Sequence, residues 1–205
     1  MKILLSGFEP FGHDGINPSK EAIHLVKDEI KGVEIVKCDV PVVFGEAEKK
    51  VYDLMKESRP DAVLCVGQAG GRNAITPERV AINCDDARIP DNKGAQPIDR
   101  KICEHGKNAY FSTLPIRDMV EAMRKEGVRS EISNSAGTFV CNHLMYQVCR
   151  YIEEEFPNMI GGFLHVPYLP EQAAEGVPSM TLDEITRGIE VSLETLIDHL
   201  KERKI

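Results

Sequence analysis

Five short runs, "KILLSGF" (2–8), "VEIVKCDVP" (33–41), "DAVLCVGQ" (61–68), "SEISNSAG" (130–137) and "GGFLHVP" (161–167), alternate along the chain with stretches of helical periodicity. Bounded by turn residues and rich in β-branched or apolar positions, they read as strands. Parallel strands need a long crossover, usually a helix, so the alternation predicts an α/β chain: a three-layer α/β/α sandwich on a largely parallel, mixed sheet. The first helix is predicted to start at Asn17 as cap with Pro18 at its first position, and to run through Ala22, Ile23, Val26 and Ile30. Others are predicted near 44–58, 116–126 and 139–156. In the last, Leu182, Ile185, Ile189, Leu193, Leu196 and Leu200 recur at steps of three and four, a stripe that should pack on the sheet. A chain of 205 residues can bury roughly 70% of its unfolded surface, so residues 1–205 are predicted to form a single domain.

The stretch 69–110 breaks this rhythm with Gly, Asn, Asp and Pro, and a connection so long inside a compact domain is more often functional than idle. Part of it, around "ERVAIN", is expected to pair as a hairpin. Composition removes several function classes. The net charge of −8 and the lack of a basic cluster interleaved with aromatics exclude nucleic acid as a partner. No apolar run approaches the length of a membrane span, and "MKILLSGFEPFG" is too soon interrupted for a signal peptide, so a cytoplasmic chain is expected. The six cysteines, Cys38, Cys65, Cys84, Cys103, Cys141 and Cys149, show no C-x-x-C spacing. Neither a zinc site nor a disulfide framework is expected, and no cofactor.

Cys141 opens a helix with little polar face, after a Gly137–Thr138 turn. There the positive end of the helix dipole would lower a thiol's pKa and its free amides could hold an oxyanion. The alternative is a small buried filler, which most unpaired cysteines are and which Cys38, Cys65, Cys84 and Cys149 are taken to be. A nucleophile needs a base. His143, two residues along the helix, points away from Cys141. His13, His24, His105 and His199 fall in polar loops or on solvated faces. His165 ends an apolar strand, where open α/β sheets place their sites. A carboxylate to hold its tautomer is sought in Glu78 of "ITPERVAIN", with Asp85 and Asp86 as alternatives. "VGQAGGR" (66–72) lacks the P-loop and dinucleotide patterns but can aim Gln68 into a cleft.

These residues stand in motifs, "GFEPFG", "NPS", "VGQAGGR", "ITPERVAIN", "ARIPDN", "YFSTLPI", "SNSAGTFVCNH" and "GGFLHVPYLPEQ", whose order and spacing resemble the pyroglutamyl peptidase I family of cysteine peptidases over essentially the whole chain. The resemblance implies a phosphorylase/hydrolase-like fold and hydrolysis after an N-terminal pyroglutamyl residue through an acyl-enzyme. It puts the nucleophile on Cys141, the histidine on His165 and the glutamate on Glu78, with Arg88 helping at the oxyanion. Phe8, Phe11, Asn17, Gln68 and Phe139 would line the ring pocket, the partners would be pyroglutamyl peptides, and the assembly would be a homo-oligomer, a homotetramer by resemblance. The competing classes are a doubly wound binding module using "VGQAGGR" and a phosphorylase-type transferase. Neither needs the Cys141 thiol.

Overall fold

A computed structural model describes residues 1–12 and 15–203, which leaves His13 outside the described residues. In chain order the elements are β1 (Lys2–Phe8), α1 (Pro18–Leu25), β2 (Glu29–Ile30), β3 (Val33–Val40), α2 (Glu46–Ser58), β4 (Ala62–Gln68), β5 (Thr76–Pro77), β6 (Val80–Ile82), β7 (Ala109–Phe111), α3 (Ile116–Lys125), α4 (Val140–Glu155), β8 (Ile160–Val166) and α5 (Leu182–Glu202). The main sheet has the order β2-β3-β1-β4-β8-β5. Its centre, β3-β1-β4-β8, is parallel, while β2 and β5 close the two edges antiparallel.

β1, β4 and β8 are buried almost throughout, as strands covered on both faces must be. Alternate residues divide between two cores. Ile3, Leu5, Leu64, Val66 and Leu164 meet α1, α3 and α5, whereas Leu4, Val63, Cys65 and Phe163 meet α2 and α4. The α/β/α sandwich and its largely parallel sheet are thus as the alternation predicts. The chain leaves β1 for β3 on one side and returns past it to β4 on the other, so β1 and β4 flank a topological switch point. Ligand sites of open α/β sheets form at the carboxyl ends of strands there.

Three local expectations are corrected. Residues 130–137 form no strand and touch the sheet region only through isolated bridges, Ile75 with Ser130 and Glu78 with Ser133. Ser133 explains this, since its hydroxyl donates to the carbonyl of Ser135 and accepts from the Ser135 amide. A local turn of this kind competes with ladder pairing. The first helix ends at Leu25, because Ile30 instead pairs with Val33 across a tight turn in which Lys31 and Gly32 both have positive φ, the backbone of a two-residue hairpin. "ERVAIN" does pair, through β6, but with distant β7. The intervening irregular chain is therefore tied down at both ends.

Asn17 caps α1, its Oδ1 accepting from the Ser19 amide at 3.1 Å, with Pro18 at the first helical position. α5 begins with a reciprocal capping box of Thr181 and Glu184 and buries Leu193 completely. Thr181→Ala is expected to cost about 1 kcal/mol and Leu193→Ala about 2–5 kcal/mol, read from urea midpoints at constant m-value. Both should leave the catalytic constants of the folded protein unchanged, since α5 lies across the sheet from the site described next.

Candidate active site

The mouth of α4 is built by Gly137, whose φ of 77° turns the chain, and by Phe139, which takes the N-cap position without any side-chain cap bond. The first-turn amides of a helix lack intrahelical partners, so here they face the site. Cys141 is the second helical residue. Its sulfur packs over Gly67 of β4: a Cβ built on Gly67 would lie 3.0 Å from Sγ and 2.8 Å from the Phe163 ring. Only glycine admits this approach.

Gly67 pairs with His165 across β4 and β8. Phe163 and His165, two residues apart on β8, share a face of the sheet, and their rings stand 4.8 Å apart. Sulfur, phenyl ring and imidazole therefore gather on one side of the sheet. His165 is 4% exposed, and its Nδ1 lies 2.7 Å from Glu78 Oε1. An ionised carboxylate only accepts, so Nδ1–H donates and Nε2 keeps its lone pair.

Glu78 reaches this position because β5 runs antiparallel to β8, with Thr76 opposite His165 and the Glu78 amide bonded to the Phe163 carbonyl at 2.9 Å. Its carboxylate is fully buried and is met by Arg72 Nη1 at 2.6 Å. Arg72 also donates to Thr76 Oγ1 and to the Ser135 carbonyl. Burial alone would raise the Glu78 carboxyl, but the hydrogen bond and charge of His165, Ser133 and the Arg72 cation hold it below the usual range. Burial pushes His165 below its ordinary value against the raising pull of Glu78. The Cys141 thiol is pushed up to about 12, by burial first and by the Glu78 charge second, with Arg72 opposing. Cys141 is only half-buried, so the lowering pull of the helix N-terminus and the raising pull of its packed surroundings act on the sulfur together.

Beyond the sulfur stands an aromatic wall. Phe139 is 6.3 Å from Phe11 and meets Phe44 edge-on at 5.4 Å. Phe8 and Asn17, expected as lining, are both buried. Phe8 is 2% exposed and packs against Phe163. Asn17 is 1% exposed, its Oδ1 spent on capping Ser19 and its Nδ2 on the Glu9 carbonyl, so both shape the "GFEPFG" loop from within. Gln68 ends β4, its Oε1 accepting from Gln172 Nε2 at 3.1 Å. Gly70 leaves space for the Tyr168 ring, which would overlap any Cβ there.

The alternative acids find other partners. Asp85 binds His143, and the Asp86 amide and carbonyl are bonded to Thr138. Arg88 is exposed, and among the described residues no hydrogen bond or ion pair joins it to Cys141. The sequence gives no site role to Arg72 or Phe44, and it sets His143 aside as a partner for Cys141 without revealing that its ring is buried between carboxylates. Arg72 was signalled, since it closes the same "VGQAGGR" that was read only for Gln68. Cys84, taken as packing, is half-exposed with its sulfur 3.9 Å from Asp99. Among the described residues no group of three His, Cys, Asp or Glu is arranged to hold a metal ion, and no helix is long and apolar enough to cross a membrane.

Comparison with known proteins gives this geometry relatives. A family model described as pyroglutamyl peptidase matches residues 1–199. A pyrrolidone-carboxylate peptidase of Streptococcus suis is 52% identical over 207 aligned positions, covering 100% of this chain and 96% of the relative. One of Clostridium botulinum is 49% identical, with 97% and 94% covered. The crystal structure of Bacillus amyloliquefaciens pyroglutamyl peptidase I superposes with a TM-score of 0.92 at 45% identity, covering 97% of this chain and 98% of that one. The pyrrolidone carboxyl peptidase of Thermococcus litoralis superposes at 0.93 with 37% identity, covering 98% and 96%. Sequence and backbone agree from one end to the other, and this chain belongs to the pyroglutamyl peptidase family of hydrolases.

Proposed function

We infer that the chain cleaves the peptide bond after an N-terminal pyroglutamyl residue as a cysteine exopeptidase, with Cys141 as nucleophile, His165 as base and Glu78 as its orienting carboxylate. The observation that carries this reading is the buried His165–Glu78 pair at 2.7 Å, one strand away from the Gly67 position on which the Cys141 sulfur rests. Residues from Phe11 to Gln172 contribute, so residues 1–205 act as one catalytic domain.

With the thiol at about 12 and the imidazole below its ordinary value, both are neutral near pH 7 while Glu78 is ionised. Attack therefore couples two events: Sγ bonds to the pyroglutamyl carbonyl carbon as its proton passes to His165 Nε2. The imidazolium so formed is stabilised by Glu78. The oxyanion lies at the open first turn of α4, with Arg88 as helper from a segment anchored to Thr138 through Asp86. Collapse breaks the C–N bond and the Nε2 proton leaves with the amine. Water, deprotonated by the same nitrogen, then opens the thioester to release pyroglutamic acid and the thiol.

The lactam ring is flat and neutral, which suits the Phe11–Phe139–Phe44 wall and the Gln68 amide at its edge. Ile98 at 79% and Phe111 at 65% exposure fit burial between identical subunits, and a homotetramer is the assembly we propose. A reaction that depends on a free thiol fits the reducing cytoplasm.

Cys141→Ser and His165→Ala should each lower kcat by roughly 10³-fold or more, and the double variant should be no worse, because residues acting as a unit are not additive. Release of a chromophoric amine from pyroglutamyl amide measures this, and substantial turnover by either folded single variant would end the Cys–His proposal.

Glu78→Gln should lower kcat by roughly 10²-fold with little change in KM, since an amide cannot stabilise the imidazolium. Because the carboxylate holds the His165 pKa up, its removal moves the acidic limb of the kcat/KM profile to lower pH. An unmoved limb with unchanged kcat would remove Glu78 from the mechanism.

Specificity offers a third test. A prolyl substrate brings a charged amine into the aromatic wall and lacks the ring carbonyl. Sites built to bond a polar group reject an analogue lacking it by on the order of 10⁴. Pyroglutamyl amide should exceed prolyl amide in kcat/KM by about that factor, and Gln68→Leu should narrow the gap by slowing the pyroglutamyl reaction. Equal rates on the two substrates would mean that the pocket reads ring shape alone.

A further inference from the structure

We propose that His143 is a positioning residue for this reaction: a buried histidine strut, clamped between Asp85 of the covering segment and Glu48 of α2, that fixes the mouth of α4 and the aromatic wall beside it. The inference rests on the peptidase reading and extends it to a residue that touches neither substrate nor sulfur.

His143 is 6% exposed and stands two residues beyond Cys141. Its Nδ1 is 2.9 Å from Asp85 Oδ2 and 3.0 Å from Oδ1, while Nε2 lies 3.4 Å from Glu48 Oε1. Both carboxylates are themselves buried, at 1% and 7% exposure. The strut thus joins three pieces of chain that share no secondary structure: α4, α2 and the loop after β6. Phe44, just before α2, meets the His143 ring at 5.6 Å and the Phe139 ring at 5.4 Å, edge-on to each. What fixes His143 therefore fixes the wall.

The charged groups around the ring are Asp85 and Glu48. Beyond them stand Arg100, 3.6 Å from Asp85, and Tyr151, whose hydroxyl feels the Glu48 charge. Burial alone would lower the imidazole, but the hydrogen bond to Asp85, the Glu48 carboxylate 3.4 Å from Nε2 and the charges of both raise it to about 9. Below that pH the imidazolium faces both carboxylates; as pH rises through it the ring loses one proton and, with Nδ1 still donating to Asp85, the attraction to Glu48 goes. Neither Cys141, at about 12, nor His165, below its ordinary value, titrates in that window.

The test uses the whole chain, with pyroglutamyl amide as substrate, and iodoacetamide labelling followed at the Cys141 peptide by mass spectrometry. In the wild type, KM should climb as pH passes from about 8 to 10, with kcat changing less. His143→Gln should raise KM about tenfold at pH 7, remove the climb and speed alkylation of Cys141, as a displaced wall admits water and reagent. Adding Glu48→Gln removes one of the stranded carboxylates and should recover part of both. A purely structural role would lower the melting temperature of the variants without moving KM or the alkylation rate, and that outcome overturns the proposal. So does a wild-type KM that stays flat across the window, a measurement that stands even if His143→Gln does not fold. Should the wild type fail to turn over pyroglutamyl amide, the peptidase reading falls, and the alkylation rates still decide whether His143 positions the thiol.

Discussion

A fully buried carboxylate is the constraint around which the site is arranged. Glu78 has 0% exposure, and an ionised group so placed is stable only with partners of good geometry. Arg72 and His165 supply them on the same oxygen, at 2.6 and 2.7 Å. Each partner fixes a piece of the fold. Arg72 anchors the turn after β4 to the Ser135 carbonyl, just ahead of the Cys141 helix. His165 requires β5 to lie antiparallel against β8, and the edge of an otherwise parallel sheet is where such a strand can be added. The charge also sets the tautomer, because an acceptor on Nδ1 leaves the lone pair on Nε2.

The long irregular segment between β6 and β7 has a comparable explanation. Asp91 accepts from the Phe44 amide, Asn92 donates to the carbonyls of Val42 and Pro10, and Asp86 is bonded to Thr138. Those contacts gather three loops that carry Phe11, Phe44 and Phe139. Asn142 adds a fourth tie, its side chain accepting from the Ile82 amide and donating to the Ile82 and Cys84 carbonyls. A wall assembled from separate loops needs such a binder, since loops have few contacts of their own.

Much of this was legible because it is local. The stripe of α5, the Asn17–Pro18 helix start and the apolar centres of β1, β4 and β8 all follow from periods and caps, and so did a cysteine at a helix mouth and a histidine at a strand end. What escaped depends on partners distant in sequence. Residues 130–137 alternate like a strand, yet Ser133 closes a turn on Ser135 that periodicity does not reveal. Ile30 kept helical spacing but was claimed by a hairpin. The role of Arg72 is not local, because only the turn after β4 carries it to the buried Glu78. Phe8 and Asn17 are buried by partners that the motif does not name, Phe163 for the one and Ser19 and the Glu9 carbonyl for the other.

The protonation states follow from the same burial that shapes the pocket. A helix N-terminus favours thiolate, and in a solvated site it would prevail. Here Cys141, half-buried, rests against Gly67, and its surroundings push the thiol up to about 12. In the proposed reaction the thiolate–imidazolium pair is then one created during attack, with Glu78 stabilising the proton on His165. The raised thiol and the lowered imidazole share one cause, their burial against the β4–β8 face that carries Gly67, Phe163 and His165.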